Sequence, residues 1–387
     1  MPDTPLRVIG TSVTLPRELQ ARVRADLGFP IVFEVLDGSA CLRRGVTQPG
    51  SFDIYDQWFH SIDLLQTAGS IAPIEIARIE RWNQMTPLYG PGATAGPRKD
   101  AGLCPADVLF VQDDNNLGAA TSTRIAMLPT ACNADSFAYR PEVAKAHRVA
   151  ESWAWLLEQD CRARCLLSQD PASSVVELAL AARSADLVDI DDCTNLTIEE
   201  IDALFNLLTQ RRQAGPFTTR TWNTHEESVR LMAQPSTRLG SLWSPAYYEL
   251  RANGLDLNYA SPKEGYRGWQ SGLSLSAAMS PGMQDRAYEY LNWWLSGPAG
   301  AILSRQGYYM SVTAPLQDAL TEPEWSFWYE GEPASSTLPG LDGRVAVRAG
   351  ERRAGGSHVH RMSRVSVWST IMDENNYLLR KWQEFLT

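Results

Sequence analysis

The stretch that decides the fold is Ala260-Ser261-Pro262-Lys263-Glu264-Gly265-Tyr266-Arg267-Gly268-Trp269. Its polar, turn-forming residues predict a hinge that ends in a tryptophan, and an apolar strand is expected next, at Gly272–Met279. Upstream, Trp243 ends a second apolar run, Arg238–Ser244. Both tryptophans are therefore expected beside the end of a strand.

Further along the chain, an amphipathic helix is expected at Asp285–Leu295, and Gln306-Gly307-Tyr308-Tyr309 follows it. Aromatic side chains in loops and at strand ends converge on clefts, where their flat faces contact ligands. We therefore expect Trp243, Trp269 and Tyr308 to line a cleft. For each ring taken alone, a place in the hydrophobic core is the alternative.

Length and composition limit the class of protein. With 387 residues the chain exceeds what one hydrophobic core usually organises, so two lobes are expected. A hydrophobic fraction of 44% and a charged fraction of 21% are typical of globular proteins. The sequence has no apolar run long enough to span a membrane. The net charge of −10 argues against a nucleic-acid partner.

Strand and helix patterns alternate along the chain. The expected strands are Leu6–Gly10, Ile31–Leu36, Phe52–Tyr55, Arg124–Thr130 and Asp135–Tyr139. A helix that ends at Gly28 separates the first two, and Thr197-x-x-Glu200 and Thr224-x-x-Glu227 are capping boxes that start later helices. The Gly/Pro-rich stretch Gly90–Pro105 predicts a loop. This alternation is typical of α/β proteins with parallel sheets covered by helices.

One stretch, Arg344–Arg364, is basic and rich in glycine. We interpret it as a solvated, mobile loop, with a phosphate or partner contact as the alternative. Its two histidines, His358 and His360, do not have the context of a metal site. We expect neither a metal nor a cofactor, because nucleotide-binding glycine motifs are also missing.

In order and spacing, Leu242-Trp243, Pro262–Gly265, Trp269 and Gly307-Tyr308 resemble the spermidine/putrescine-binding proteins, which are periplasmic solute receptors of ABC transporters. The resemblance extends over roughly Leu6 to Val312. It implies a two-lobed type II periplasmic-binding-protein fold, in which each lobe is a mainly parallel sheet covered by helices and the ligand cleft lies between the lobes.

The resemblance also implies a division of the chain. Lobe 1 would comprise residues 1–132 and about 265–312, and lobe 2 residues 133–264. The chain would cross between them near Ala131–Ser136 and Tyr259–Trp269. A C-terminal segment, 313–387, would pack back on the lobes and contain the Gly/Arg-rich loop at about 344–364.

Several positions match the family's ligand site. Trp243 and Trp269 match the aromatic walls, Tyr308 matches a cleft tyrosine, and Trp58 or Phe59 matches an aromatic pair after a strand. The remaining candidates are polar: Asp170, which matches an acid that pairs with an amine, Asp135 at the expected crossing, and the hydroxyls of Thr11 and Ser12. We expect Trp269→Ala to weaken ligand binding by at least about 1 kcal/mol and to leave the fold intact.

Other positions depart from the family pattern. Two family acids are replaced by Ser271 and Ser173. A polyamine in a closed cleft needs a carboxylate for each ammonium, because an unpaired buried charge costs several kcal/mol, about 3–5. Within the class of amine-containing ligands, a monoamine, quaternary amine or zwitterion therefore fits better than a polyamine, and tryptophan faces attract such cations.

An enzyme is the rival hypothesis. Thiaminase I enzymes resemble the same two-lobed fold and use a cleft cysteine as nucleophile, and Cys132 lies at the expected crossing. A nucleophilic thiol needs a lowered pKa and a neighbouring base, and no histidine is close in sequence. A buried, inert thiol is the commoner case, so we do not expect an enzyme. Thiol alkylation separates the two hypotheses.

Export cannot be read from the first residues, because no secretory n-region or h-region precedes Leu6. We expect either a cytoplasmic protein or an exported one whose signal was removed, and the resemblance favours a periplasmic location. The expected partners are a small amine or zwitterion and the membrane permease of an ABC transporter, and the protein is expected to be a monomer. Glu34, Asp53 and Asp56 lie near strand ends, where each could face the cleft, face solvent or cap an element.

Overall fold

The computed structural model describes residues 4–86, 104–147, 150–157, 164–214 and 218–387. The loop expected at Gly90–Pro105 lies almost entirely outside the described residues, and so does Cys161. Within the described ranges the chain forms eighteen strands and fourteen α-helices.

The strands, in chain order, are β1 (Leu6–Gly10), β2 (Ile31–Val35), β3 (Ile54–Trp58), β4 (Ile71–Ala72), β5 (Ile74–Glu75), β6 (Phe110–Val111), β7 (Leu117–Gly118), β8 (Arg124–Ile125), β9 (Leu128–Tyr139), β10 (Arg164–Ser168), β11 (Thr218–Trp222), β12 (Thr237–Leu242), β13 (Asn258–Tyr259), β14 (Tyr266–Ser276), β15 (Tyr309–Met310), β16 (Leu338–Pro339), β17 (Val345–Val347) and β18 (Val365–Trp368).

The helices are α1 (Arg17–Leu27), α2 (Gly38–Thr47), α3 (Ile62–Thr67), α4 (Pro141–His147), α5 (Pro171–Ser184), α6 (Ile198–Ala214), α7 (His225–Met232), α8 (Ser244–Ala252), α9 (Gln284–Trp294), α10 (Pro298–Ser304), α11 (Leu316–Ala319), α12 (Glu322–Trp325), α13 (His358–Ser363) and α14 (Asn375–Leu386).

One mixed sheet runs through the whole molecule. Its main path is β11-β10-β12-β9-β14-β3-β1-β2, with four short strands attached to β9 and β14. The outer groups are parallel, β1 with β2 and β3 at one end and β10 with β11 and β12 at the other. The central strands β9 and β14 are antiparallel to each other and join the two groups. Helices connect the parallel strands, so the α/β class predicted from the alternation is confirmed.

The two long central strands were only partly predicted. Separate strands were expected at Arg124–Thr130 and Asp135–Tyr139, but β9 is continuous and buried along its length. Its middle, Ala131–Ala134, has no branched or large apolar side chain, so the local pattern suggested a break. Pairing with β14 on one side and β15 on the other keeps this segment extended.

The strand expected at Gly272–Met279 begins earlier, at Tyr266. Trp269 therefore lies inside β14 rather than in a hinge loop before it. Hydrogen bonding to β9 starts at Arg267, opposite Asp135, and this partner is distant in sequence. The turn-forming residues before this strand, Ala260–Gly265, end at a glycine whose φ of 107° lies in the region that favours glycine.

The helix ends predicted from local sequence signals agree better with the structure than the predicted strands do. Gly28 ends α1 in the left-handed conformation at φ 70°. At α6 the capping box is complete, because Thr197 Oγ1 accepts from the Glu200 N–H and Glu200 accepts from the Thr197 N–H. At α7 only half of the box forms: Thr224 accepts from the Glu227 N–H, whereas Glu227 accepts from the Asn223 N–H.

The buried hydrophobic residues form two clusters. The larger contains β1, β3, α9 and much of residues 316–347. The smaller contains α5, α6 and the C-terminal helix α14, where Trp382 and Phe385 pack on Phe205 with ring centroids 6.4 and 6.1 Å apart. The C-terminal part of the chain thus contributes to both clusters.

The interpretation of Arg344–Arg364 as a solvated loop holds for its exposed residues, among them Arg348 and Arg352, and is wrong for its two buried arginines. The segment contains β17 and α13, and Arg353 and Arg361 are 6% and 1% exposed. Their guanidinium groups lie over aromatic rings, Arg353 over Tyr309 at 4.4 Å and Arg361 over Tyr266 at 4.6 Å. Tertiary contacts with rings elsewhere in the chain bury these arginines, and the local pattern carries no sign of them.

The three carboxylates near strand ends have different surroundings. Glu34 pairs with Arg44 at 3.0 Å and Asp53 with Arg7 at 2.8 Å. Asp56 is fully buried, and neither of its oxygens has a hydrogen-bond partner in the described part of the chain. Burial raises the pKa of Asp56 to about 8, although the Thr14 hydroxyl opposes the rise.

Candidate functional site

Four aromatic side chains meet around a small cavity beside the β9–β14 pair, which we call the central pocket. Its lining residues are Val13, Trp58, His60, Ser173, Trp243, Arg267, Trp269, Tyr308 and Ser369. Its volume is about 10 Å³, close to the minimum of roughly 10–15 Å³ that one water needs. The side chains therefore fill the site almost completely.

Two further cavities share walls with the central pocket. A groove of about 750 Å³ shares Val13 and is also lined by Ser12, by Pro245 of α8 and by His225 at the start of α7. A smaller cavity of about 100 Å³ shares His60 and Ser369 and is lined by Phe59. The three cavities are therefore neighbours, with the central pocket sharing a wall with each of the other two.

The aromatic rings of the central pocket contact one another in pairs. Trp58, the last residue of β3, meets Trp243 edge to face at 5.7 Å between ring centroids and stacks on His60 at 5.6 Å. Trp243 follows β12 as the N-cap of α8. Trp269 meets Tyr308 edge to face at 4.9 Å. The central strand β14 and the strands β12 and β3, on either side of the β9–β14 pair, thus bring these rings to one place.

One buried arginine, Arg267, forms the polar wall of the pocket. Its Nε donates to Glu177 Oε1 at 2.7 Å and its Nη1 to Ser369 Oγ at 2.8 Å. Nη2 lies 3.6 Å from Asp135 Oδ2 and has no hydrogen-bond partner among the described residues. The side chains of Arg267, Glu177 and Asp135 are at most 1% exposed.

The carboxylates of this cluster are held by further donors. Asp135 Oδ2 accepts from Trp269 Nε1 at 2.6 Å, and Asp135 Oδ1 from Asn133 Nδ2 at 2.9 Å. Burial raises the pKa values of Asp135 and Glu177 above their usual range, and the neighbouring Arg267 opposes the rise in both. Burial lowers the pKa of His60; the charge of Asp170 opposes this and that of Arg267 adds to it, and the net shift is downward, so the imidazole is neutral at pH 7.

Of the residues predicted for the site, Trp58, Trp243, Trp269 and Tyr308 line the central pocket itself. Ser12 and Phe59 line the two adjoining cavities.

Three predicted residues are not on these walls. Asp135 does not line the pocket itself but accepts a hydrogen bond from the indole N–H of Trp269, which does. Asp170 caps α5, where it accepts from the Ala172 N–H at 3.1 Å and from the Ser173 hydroxyl at 3.2 Å. Thr11 is buried, and its hydroxyl lies 3.4 Å from that of Thr14.

The expectation that Trp269→Ala leaves the fold intact does not fit these contacts. Trp269 is only 6% exposed, and its indole N–H is the closest donor to the buried Asp135. Truncation would open a cavity and remove a hydrogen bond from a buried carboxylate, and both destabilise the folded state. Trp243, which is half-buried, reports on binding more cleanly.

Sequence reasoning missed four residues that line the pocket: Arg267, His60, Val13 and Ser369. It considered Ser173 only as a position where the family has an acid. A signal for Arg267 was available. Alternate residues of a strand point to the same face, so Arg267 and Trp269 share a face once Tyr266–Ser276 is recognised as a strand. Ser369 follows β18, and no motif in the sequence connects it to the cleft.

Cys132 lies in β9, opposite Gln270 and Tyr309. Its side chain is 1% exposed, and it is not among the residues that line the central pocket. Burial raises the pKa of its thiol to about 12. At neutral pH the group is therefore a protonated thiol, which is a poor nucleophile.

Among the described residues, no group of histidine, cysteine and acidic side chains is arranged to hold a metal ion. In the same ranges, no helix combines the length and the apolar character that crossing a membrane requires.

Solved structures with the same fold cover nearly the whole chain. A spermidine/putrescine ABC transporter protein of Listeria monocytogenes matches with a TM-score of 0.66 and 12% identity, over 98% of each chain. MotA of A. tumefaciens, solved with glucopine, matches with a TM-score of 0.64 and 10% identity, over 99% of this chain and 100% of that one. The spermidine/putrescine substrate-binding protein PotD of Streptococcus pneumoniae gives 0.63 and 13%, over 99% and 100%.

No curated protein sequence matches the chain. A model of the bacterial extracellular solute-binding proteins matches residues 93–329, which is more than half of the chain. This range includes β9, the whole of Ala260–Trp269, β14 and Tyr308, and it contains five of the nine residues that line the central pocket. The chain belongs to the family of bacterial extracellular solute-binding proteins.

Proposed function

We propose that this protein is the extracytoplasmic receptor of an ABC importer and that it binds a small zwitterion, with an ammonium or quaternary amine at one end and a carboxylate at the other. The observation that carries the proposal is the meeting of four aromatic rings with one buried arginine in the central pocket. Spermidine/putrescine ABC transporter proteins and the glucopine-bound MotA share the fold. These names support a small amine-containing ligand, and the choice of a zwitterion within that class rests on the residues of the central pocket.

The aromatic rings would hold the cationic end. Indole faces attract an ammonium or quaternary amine by about 2 kcal/mol when the contact is desolvated. Trp58 and Trp243 are both half-buried and meet edge to face, so a cation that separated them would find an indole on each side. Serines replace two family acids, at 173 and 271, so the site has fewer carboxylates and suits a single positive charge.

Arg267 would hold the anionic end. Its Nη2 is buried and lies 3.6 Å from Asp135 Oδ2, but it has no hydrogen-bond partner in the described chain, and Arg267 lines the pocket. A carboxylate could accept from this N–H, and charge-assisted hydrogen bonds are about twice as strong as neutral ones. Glu177 and Asp135 keep the guanidinium in position from behind. Ser369 and Ser173 offer hydroxyls on the same wall.

Binding would require the lobes to open and close. A pocket of about 10 Å³ has no room for an organic solute, so Trp58 and Trp243 must separate before one enters. The proposed lobes are residues 1–132 with about 265–312, and residues 133–264, while β9 and β14 are the connections that bend. A ligand favours the closed form only through contacts that the open form lacks, such as contacts with Trp58 and Trp243 at once.

The remaining parts of the proposal follow from the family. A membrane permease would recognise the closed receptor, and the periplasm is the proposed location. We propose that the receptor acts as a monomer and without catalysis. Thr11, Ser12, Phe59 and Asp170 would border the solute or support residues that do, as Asp170 does for Ser173.

A thermal-shift screen tests the proposed ligand class. The panel comprises betaines, amino acids, ω-amino acids, simple amines, polyamines and thiamine, each added to the purified protein. A ligand at a hundredfold excess over its dissociation constant adds about 2.7 kcal/mol of stability. We expect the largest shift from a compound that carries one cationic group and one carboxylate. A selective shift from spermidine would contradict the zwitterion.

Trp243→Ala is expected to weaken binding of the solute found in that screen by about 1–2 kcal/mol, or roughly five- to thirtyfold. The loss comes from one of the two indole faces that would contact the cation. Isothermal titration calorimetry measures it directly.

Trp325→Ala is the matched control, because Trp325 is also a half-buried tryptophan and does not line the central pocket. It should bind the solute as the native protein does. Equal affinity of Trp243→Ala and the native protein would remove Trp243 from the site.

The thiaminase-like alternative predicts that Cys132 reacts and that its modification abolishes turnover. A buried thiol with a pKa of about 12 should instead react slowly in the folded protein. We expect a native sample treated with iodoacetamide to retain full solute binding, as measured by calorimetry. Mass spectrometry would identify which thiols were labelled. Rapid labelling of Cys132, or product formed from thiamine, would favour the enzyme.

A further inference from the structure

A second cavity lies near the β9–β14 pair, and we call it the rear cavity. Its volume is about 490 Å³, and it lies between α8, β13 and the segment 351–361. It shares no lining residue with the central pocket. The two are nevertheless close, because Tyr259 of the rear cavity donates its hydroxyl to Asp135 at 3.3 Å, and Trp269 of the central pocket donates to the same carboxylate.

Positive charge dominates the walls of the rear cavity. Its charged lining residues are Arg251, Arg352, Arg353, Arg361, Glu151 and Glu351. Glu351 pairs with Arg251 at 2.6 Å. Glu151 accepts from the Tyr139 hydroxyl and from the Ser261 N–H rather than from an arginine. Four arginines against two glutamates leave a surplus of positive charge.

Two of these arginines are buried without a carboxylate in direct contact, although Arg361 is close enough to Asp135 to lower the pKa of that carboxyl. Arg353 donates to the carbonyls of Trp328 and Gly307, and Arg361 to those of Ala354 and Ala134. Neither forms an ion pair with any carboxylate in the described ranges. A buried charge that lacks an opposite charge is costly, so this wall favours an anion.

Donors remain available on the same walls. The Nε atoms of Arg361 and Arg251 are buried and have no hydrogen-bond partner in the described chain. Arg352 is exposed at the rim. Burial lowers the pKa of the nearby His358 to about 3, and the charges of Arg353 and Arg361 add to this, which agrees with a positive potential in this region.

We propose that the rear cavity binds a small polyanion, a molecule that carries two or more carboxylate or phosphate groups. Its volume of 490 Å³ falls in the range of about 300–1,000 Å³ that is typical of small-molecule sites. Several arginines on different walls suit several anionic groups better than one. The polyanion would connect α8 to the C-terminal segment, through Arg251 on one side and Arg352, Arg353 and Arg361 on the other.

Isothermal titration calorimetry of the full chain with citrate and with pyrophosphate tests this inference. Ionic strength is held constant with sodium chloride, and acetate serves as the monovalent comparison. We expect saturable binding of at least one polyanion and none of acetate. A preference for citrate would indicate a carboxylate ligand, and a preference for pyrophosphate a phosphate ligand. Absence of saturable binding of either probe at millimolar concentration would overturn the proposal.

Arg352→Glu is expected to weaken polyanion binding by about tenfold or more, because it places a negative charge at the rim. Arg348→Glu is the matched control. It makes the same charge change on another exposed arginine of the C-terminal segment, four residues away, that does not line the cavity. It should change affinity by no more than about twofold, since exposed charges are screened by salt. Equal weakening by the two variants would show a general charge effect and refute the site. The test does not involve the central pocket, so it is independent of the proposed solute.

Discussion

Replacing Arg267 by methionine is expected to lower the free energy of unfolding by about 3–5 kcal/mol at pH 7. Arg267 is the only cation within ion-pair distance of Glu177 and Asp135 in the described part of the chain. Methionine would leave two buried carboxylates side by side without a countercharge. Chemical denaturation followed by tryptophan fluorescence measures the loss.

The pH dependence of this loss separates it from a simple packing defect. Burial already raises the pKa values of Asp135 and Glu177, and removal of Arg267 takes away the strongest opposition in each. The folded variant would hold protons that the unfolded chain releases, so its stability should fall as pH rises above the unfolded pKa values. At pH 5 the difference from the native protein should be smaller than at pH 8. A loss that is independent of pH would contradict the assignment.

Arg230→Met provides the matched control. Arg230 is 63% exposed and pairs with Glu227 one helical turn away in α7. Exposed ion pairs of this kind contribute about 0–1 kcal/mol, so the control should remain close to the native stability.

Asp56→Asn is expected to stabilise the protein by roughly 4 kcal/mol at pH 7. Burial raises the pKa of Asp56 from 3.8 to about 8, so the folded state holds a proton that the unfolded chain releases at neutral pH. In the native protein this group therefore lowers stability as pH rises from the unfolded pKa towards the folded one. Asparagine has nearly the same shape and does not ionise.

Urea denaturation between pH 4 and pH 8 measures this effect. Native and variant proteins should have similar stability near pH 4, and the variant should be increasingly favoured at higher pH. Asp318→Asn, at an exposed position in α11, should change stability by no more than about 0.5 kcal/mol at any pH. A constant difference between Asp56→Asn and the native protein would show that Asp56 is ionised in the folded state.

Sequence reasoning predicted the features that depend on local pattern. The first strand and helix, the helix end at Gly28, and the place of Trp243 at the end of a strand all follow from spacing and turn chemistry. The resemblance added the fold and placed four aromatic rings in one pocket. These parts could be predicted because each depends on a few adjacent residues or on a motif.

The features that escaped prediction depend on residues far apart in the chain. Continuous β9 requires β14 and β15 beside it, and the charge cluster joins Asp135, Glu177 and Arg267 from three separate elements. Arg361 was assigned to solvent because nothing near it in sequence indicates that Tyr266 and the Ala134 carbonyl receive its guanidinium. Burial of a charged side chain is decided by such tertiary partners, and a local pattern does not contain them.

The antiparallel pairing of β9 with β14 has a consequence for biosynthesis. The strand that joins β3 to β9 begins at Tyr266, so a nascent chain that has not reached this residue cannot complete the central sheet. Until then the edges of Ile54–Trp58 and Leu128–Tyr139 that later bind β14 lack their partner, and unpaired edges favour aggregation. Pairings between such distant segments also form slowly. Folding of this receptor therefore depends on late synthesis of its central strand, during which the early strands need protection.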